Sequence, residues 1–404
     1  MNMSGILEGL RVLELGQVLA GPFAGAIFAD LGAEVIKLER VDGGDDARRM
    51  GPAFRHGDAH NFQIFNRGKQ SVAIDLKTAE GKAAFESLAA SADIFVHNLR
   101  PGVAQTLGID ADGLCARHPR LVYGEISAFG HLGPMRMRPG YEPLIQAFSG
   151  LSSLNGGPDD PPMRSAASLC DQGTGMWIVI GALALLQRRV RTGRGGLIQA
   201  SLLETALTWN AQKADAFVNE GKLPVRDRSG HPGFVPYEAF DTQDAPLLIC
   251  CGNDRLFARF ANVLGETGWV DDPRFSTNRA RIANKAALVA QLSPILKANS
   301  RADWIARFED AGVPCAPVNT IEEALAHPQV QALGILQPVP GEDFRLTGLP
   351  ISVDGERPAL RGGAPRLGEH DALHPGAHHP APLDPDPLDP EPLDPEPLDP
   401  RNAR

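Results

Sequence analysis

Along the first third of the chain, short apolar runs bounded by polar residues or glycine alternate with longer amphipathic stretches. Residues 11–15 (RVLEL) read as a buried strand. Residues 20–31 follow as a helix with Pro22 near its start, where a missing N–H costs little. Gly32 ends that helix and 34–39 form a second strand, which makes a βαβ unit with a parallel pair and a right-handed crossover. Further strands are expected at 71–76, 93–98 and 121–127, with a helix at 78–90 capped by Thr78. This alternation predicts an open α/β sheet. Residues 173–191 form a long helix, apolar on most sides and therefore expected to be buried. TGRGG at 192–196 stops it, and 197–203 returns to the sheet.

Beyond residue 216 the texture changes. Strands at 234–240 and 246–251 flank a turn at 241–244, and helices are expected at 254–264, 285–296 and 302–310. The expected organisation is a first part of a large domain over 1–224, a smaller α+β domain over 225–325, a return to the large domain over 326–379, and a tail over 380–404. The tail repeats PLDPx four times between Pro382 and Arg401. Proline removes donors and the acids repel one another, so the tail is expected to stay extended and to be dispensable for catalysis.

Composition narrows the function. The 404 residues are 43% hydrophobic and 22% charged, as in a globular chain long enough for more than one domain. A net charge of −10, half of it from the tail, argues against nucleic acid as a partner. The cluster of Arg188, Arg189, Arg191 and Arg194 reads as a solvated helix C-terminus, where cations are favoured. No run is expected to reach the roughly 18 apolar residues of a membrane span; the longest is 176–186. The first residues lack the pattern of a signal peptide. Five scattered cysteines (Cys115, Cys170, Cys250, Cys251, Cys315) form no CxxC pair, so a reduced, cytoplasmic chain is expected, without a disulfide framework or zinc site. His370, His374, His378 and His379 have no accompanying cysteine or regularly spaced acid, and no metal site is assigned.

Candidate chemistry sits at strand ends. The turn GQVLAGP at 16–22 matches neither the dinucleotide nor the NTP fingerprint, yet such a turn can present backbone N–H groups to an anion. Arg40, Lys77 and Arg100 each follow an expected strand, where ligands of open α/β sheets bind. Together they suit a ligand with several phosphates; singly, each is also ordinary surface charge. Asp171 stands in SLCDQGTG at 168–175, just before the long helix. Two readings of it are open: an N-cap, or a carboxylate nucleophile at a helix start. On the second, Gly173 and Gly175 would let substrate approach closely and the following N–H groups would stabilise developing charge.

Several blocks in consistent order resemble one family. They are GLRVLELGQVLAGPFAGAIFADLGAEVIKLER, NRGKQSVAIDLKTAEGK, GYEPLIQAFSG, the Asp171 segment, TGRGGLIQASLLETAL and LGEH. From about residue 7 to 371 the chain resembles the class III CoA-transferases, which include formyl-CoA and carnitine CoA-transferases and the α-methylacyl-CoA racemases. The resemblance implies a Rossmann-like large domain, a small α+β domain and an interlocked homodimer. It implies acyl-CoA and carboxylic acid substrates, with coenzyme A as substrate and no permanently bound cofactor. In such transferases an aspartate forms an anhydride with the acyl group, and CoA then yields an aspartyl-CoA thioester; Asp171 matches that aspartate. Family contacts to CoA fall on Gln17, Val18, Leu19 and Ala20, on Arg40, on Ile74, Asp75 and Lys77, on Asn98, Leu99 and Arg100, and on 139–142, including Tyr141 and Glu142.

There are departures. A family arginine that helps hold CoA falls at Thr106. The glycine-rich mobile loop of the formyl-CoA enzymes is replaced by GHPGFVPYEAF at 230–240, so oxalate is not supported as the preferred acceptor. Racemases of the family carry a histidine in a GHD-type motif; here the place reads Gly140-Tyr141-Glu142, and the nearest upstream histidine is His131. The expected function is CoA transfer from an acyl-CoA, such as a dicarboxyl-CoA like succinyl-CoA, to a free acid through Asp171. A racemase and a catalytically silent CoA-binding protein are the alternatives, and an intact Asp171 argues against the silent protein. Passing CoA between carboxylates conserves the thioester's energy, which water would dissipate, so the site should exclude water.

Overall fold

The computed structural model describes residues 5–374. The PLDPx tail, His378 and His379 lie outside the described residues. Strand β1 (Arg11–Leu15), helix α1 (Ala20–Asp30) and strand β2 (Glu34–Glu39) form the opening βαβ unit. β3 (Gln70–Ala73), α2 (Ala79–Ser91), β4 (Ile94–His97) and β5 (Val122–Ser127) follow, then α3 (Glu142–Phe148), α4 (Leu169–Thr192), β6 (Gly196–Ser201) and α5 (Leu202–Trp209). The six strands form one parallel sheet in the order β3-β2-β1-β4-β5-β6.

Period-two alternation sends side chains to both faces of this sheet. Val12, Val35, Val96 and Val122 meet α1, α4 and α5 on one face. Leu13, Ile36, Phe95 and Tyr123 meet Phe85 and Leu88 of α2 on the other. Burial on both faces explains why the strands read as near-continuous apolar runs. Thr78 caps α2 by accepting from the Gly81 amide at 2.9 Å, as the sequence suggests. The expected strand 197–203 stops at Ser201, because Ser201 caps α5 by accepting from the Glu204 amide at 3.1 Å.

Helix α4 differs most from expectation. It begins at Leu169, with Ser168 in the N-cap position, so Asp171 lies in the first turn and is not the cap. One face, with Gly175, Ile178 and Ala182, is buried against α1 and the sheet. The other exposes Met176, Trp177, Ile180 and Leu183. By length and composition alone, α4 is apolar enough to cross a membrane, contrary to the sequence expectation; in the fold its inner face is part of the large core. Nor is its arginine cluster simply solvated. Arg189 pairs with Asp93 at 2.7 Å, and Arg188 donates to the Gly195 carbonyl.

A second core follows. β7 (Tyr237–Asp241), β8 (Pro246–Cys250) and β9 (Cys315–Pro317) form an antiparallel sheet with β8 central. Phe257, Phe260, Leu288, Trp304 and Phe308 from three intervening helices fill it. The chain then returns to the first sheet. Gly368 N donates to Ser71 Oγ at 3.0 Å, His370 Nδ1 accepts from Ser71 N at 3.3 Å, and Asp371 Oδ1 accepts from Ala73 N at 2.8 Å. His374 Nε2 lies 2.8 Å from Gln70 Oε1. His370 and Asp371 thus close the outer backbone edge of β3, a protection that exposed strand edges require.

Candidate active site

Strand order reverses between β1 and β4, and in open α/β sheets a crevice opens beyond the carboxyl ends of such a pair. The turn after β1 is fixed there by side chains, one backbone group after another. Gly16 N donates to Glu14 Oε1 at 2.8 Å, and Gly16 O accepts from Lys37 Nζ at 2.9 Å. Gln17 N and O bond Asn98 Oδ1 and Nδ2 at 2.7 and 2.8 Å. Val18 N donates to Asp45 Oδ1 at 3.0 Å. Val18 has φ +66°, a left-handed conformation that a β-branched residue rarely adopts.

A buried charge cluster underlies this turn. Lys37 lies 2.9 Å from Asp45 and 3.3 Å from Glu14, while Lys69 lies 2.7 Å from Glu14. Burial opposes the charge on Lys37, but Glu14, Asp45 and Glu39 outweigh it and hold the ammonium well above its usual range. Burial pushes Lys69 down to about 8. Burial also opposes the charge on Asp45, yet Lys37 and the Val18 and Ala47 amides keep it below the usual carboxylate range.

The crevice has a volume of about 680 Å³, within the range of small-molecule sites. Gln17, Val18, Leu19 and Ala20 line it from the turn, Arg40 from the end of β2, and Asn98, Leu99 and Arg100 from the end of β4. Tyr141 and Glu142 enter at the start of α3, and Asp171 comes from the first turn of α4. Ile74, Asp75 and Lys77 are outside the lining. They follow β3, two strands from β1, a separation of roughly 10 Å at the usual strand spacing. Thr106 is also outside it, its hydroxyl donating to Gly102 O at 3.0 Å.

Sequence reasoning missed Asp46, Ser127, Ala128 and Leu202, which also line the crevice. Ser127 ends β5 and Leu202 follows β6, so the same strand-end rule could have found them. Asp46 pairs with Arg40 at 2.7 Å and gave no such signal.

The glycines of the Asp171 segment have another role than the one expected. A Cβ on Gly173 would stand 2.7 Å from Thr205 and 2.8 Å from Trp209, and one on Gly175 would stand 2.7 Å from the Ala20 carbonyl. Both admit neighbouring helices rather than substrate. The Gln172 amide is also engaged, donating to Ser168 O at 3.0 Å.

What remains is a carboxylate with adjusted chemistry. Asp171 is half-buried; desolvation, with the nearby charge of Glu142 adding to it, pushes its carboxyl up to about 7. Glu142 is buried and fixed, accepting from Gln146 Nε2 at 2.7 Å and from Cys170 N at 3.4 Å. Cys170 is a poor competing nucleophile, since burial and the two carboxylates push its thiol up to about 12. His131 is not in the lining; it sits 3.6 Å from Glu125 and 3.5 Å from Ser127 Oγ. One crevice is thus lined by the Asp171 carboxylate and by two guanidinium groups, Arg40 and Arg100.

Known proteins resemble the chain over nearly its whole length. The family model described as CoA-transferase family III matches residues 7–371. A succinate–glutarate CoA-transferase of Agrobacterium fabrum is 38% identical over 381 residues, covering 92% of this chain and 95% of that protein. An acetyl-CoA:oxalate CoA-transferase of Acetobacter aceti is 37% identical, covering 91% and 94%. The crystal structure of a CAIB/BAIF family protein from Brucella suis superposes with a TM-score of 0.83 at 37% identity, covering 91% of this chain and 98% of that one.

Proposed function

The chain belongs to CoA-transferase family III, and we propose that it moves CoA from a dicarboxyl-CoA such as succinyl-CoA to a free carboxylic acid, with Asp171 as nucleophile. The observation that carries this reading is that Asp171, beside Glu142, lines the same crevice as Gln17, Val18, Leu19 and Ala20 of the fixed turn. Ionised Asp171 attacks the thioester carbonyl, and CoA leaves as thiolate, giving a mixed anhydride. The thiolate then attacks the Asp171 carbonyl, which forms the aspartyl-CoA thioester and releases the donor's acid. The acceptor carboxylate repeats the sequence in reverse, and Asp171 is regenerated. Thioester energy is kept throughout.

Arg40 and Arg100 are placed to meet phosphates at the crevice wall. A ligand as long as CoA extends from there across β2 toward Ile74, Asp75 and Lys77, which keeps them as proposed contacts. The names of the Agrobacterium and Acetobacter relatives support short dicarboxylates as acceptors, oxalate included. The racemase reading lacks its family histidine: Gly140-Tyr141-Glu142 stands in the motif's place, and His131 is not among the crevice-lining residues.

The exposed apolar stripe of α4 supports a homodimer, with a second subunit rather than lipid or nucleic acid covering it. A cytoplasmic setting, and a small domain spanning 225–325, are parts of the same proposal.

A panel of succinyl-CoA and acetyl-CoA against glutarate, oxalate and other acids tests the reaction. Incubation with acyl-CoA and then hydroxylamine should mark Asp171 by mass. Asp171→Ala should bind CoA yet lose about a thousandfold or more in turnover. Near-normal transfer by that variant would refute the mechanism. In heavy water, 2-methylacyl-CoA should take up no α-deuterium.

A further inference from the structure

Asp45 does not line the crevice, yet the one left-handed residue of the crevice turn hangs on it. Its Oδ1 accepts from Val18 N at 3.0 Å and from Ala47 N at 2.9 Å. Its other oxygen lies 2.9 Å from Lys37 Nζ, and its own amide donates to Glu39 Oε2 at 2.9 Å. The carboxylate is therefore clamped from β2, with no freedom to follow Val18. Val18 pays a steric cost at φ +66° that a glycine would avoid. The residues immediately after it, Leu19 and Ala20, are cleft-lining and begin α1, a helix with no side-chain cap. If Val18 relaxed to a negative φ, the 18–19 peptide would rotate, and the first amides of α1 would turn with it.

We propose that Asp45 is the positioning residue of the CoA-binding turn: it acts through Val18 to hold the amides at the start of α1 in the orientation that receives the substrate. This rests on the reading that the crevice takes a CoA thioester. Asp45 touches neither substrate nor Asp171, so its effect falls on binding rather than on the chemical step.

The test is a double-mutant cycle on the full-length chain, read as CoA affinity by calorimetry and as KM against kcat for succinyl-CoA. Asp45→Ala alone is expected to weaken CoA binding about tenfold, the usual consequence of losing a hydrogen bond to a charged group, with the loss carried by KM. In the V18G background, where positive φ is free, the same substitution is expected to cost less than about threefold. Equal losses in both backgrounds, or unchanged affinity in Asp45→Ala, would overturn the proposal. Should Asp45→Ala fail to fold, Asp45→Asn serves, because its amide oxygen still accepts from Val18 while Lys37 loses the nearer of its two ion-pair partners and keeps Glu14. The melting temperature is then expected to fall with CoA affinity within about threefold of wild type; affinity falling along with it would overturn the proposal. Wild-type protein that binds no CoA at all would instead refute the reading of the crevice.

Discussion

In the proposed mechanism Asp171 must be ionised to attack, and, pushed up to about 7 by burial and then by Glu142, it is about half ionised near neutrality. The rate at limiting substrate should therefore rise with pH and level off above about 7. Glu142→Gln removes one of the two raising causes and should move that acid limb to lower pH, as a pH profile of kcat/KM would record. The sign for stability is opposite. A carboxyl raised in the folded state favours folding while protonated, so this contribution is present below the unfolded value near 4 and is lost as pH rises through about 7. Asp171→Asn should thus gain about 1–3 kcal/mol over wild type at pH 8 and little at pH 4, measured by denaturant unfolding. The place of Asp171 before a long apolar run singled it out in the sequence but left an N-cap and a nucleophile both open; the structure excludes the N-cap, and the nucleophile rests on the family resemblance. Asp45 was not singled out, because GGDD at 43–46 reads as a surface turn, and the residue it serves lies 27 positions upstream. Ile74, Asp75 and Lys77 obey the strand-end rule, but sheet order sets their strand at the edge, away from the reversal.

Among the elements, α4 shows how far a hydrophobic pattern carries. Its existence and its stop at TGRGG are plain in the sequence, whereas its inner and outer faces are not. A helix apolar on most sides demands cover on most sides, and the described residues supply it on one. The close approach of α4 to α1 is invisible too, because the atoms that a Cβ at Gly175 would meet belong to Ala20, Phe23 and Ala24. Gly175→Ala should force the two helices apart at a backbone carbonyl, costing about 1–3 kcal/mol. Ala20 lines the crevice and α4 carries Asp171, so a KM increase should accompany the lower melting temperature. On the outer face, Ile180 is 51% exposed between Trp177 and Leu183. A homodimer built on this stripe should be weakened by Ile180→Asp, and sedimentation at micromolar concentration should show monomer where wild type shows dimer. A wild type that sediments as an active monomer would count against the interface.

For the whole molecule, the decisive arrangement is the return of residues 366–374 to the first sheet. Removal of 380–404 should leave melting temperature and turnover unchanged, as expected of a segment whose leucines are each isolated among prolines and acids. Cutting back to 365 also removes His370 and Asp371 from β3, and should lower the melting temperature by several degrees in a thermal scan. The large-unit strands and the distinct texture beyond residue 216 were legible in the sequence. The closing of an edge by a short polar segment was not, because its bonds run to backbone groups nearly 300 residues away. That closing has a temporal side. Synthesis proceeds from the amino end, so all six strands of the main sheet leave the ribosome before the residues that seal β3. At ordinary translation speed the interval is on the order of ten seconds, and through it the nascent sheet carries an open margin that any passing strand could pair with. The second core is contiguous between Tyr237 and Pro317 and can form within that interval. The last described residues thus act as the latch on a nascent chain whose most vulnerable period comes after its largest sheet is made.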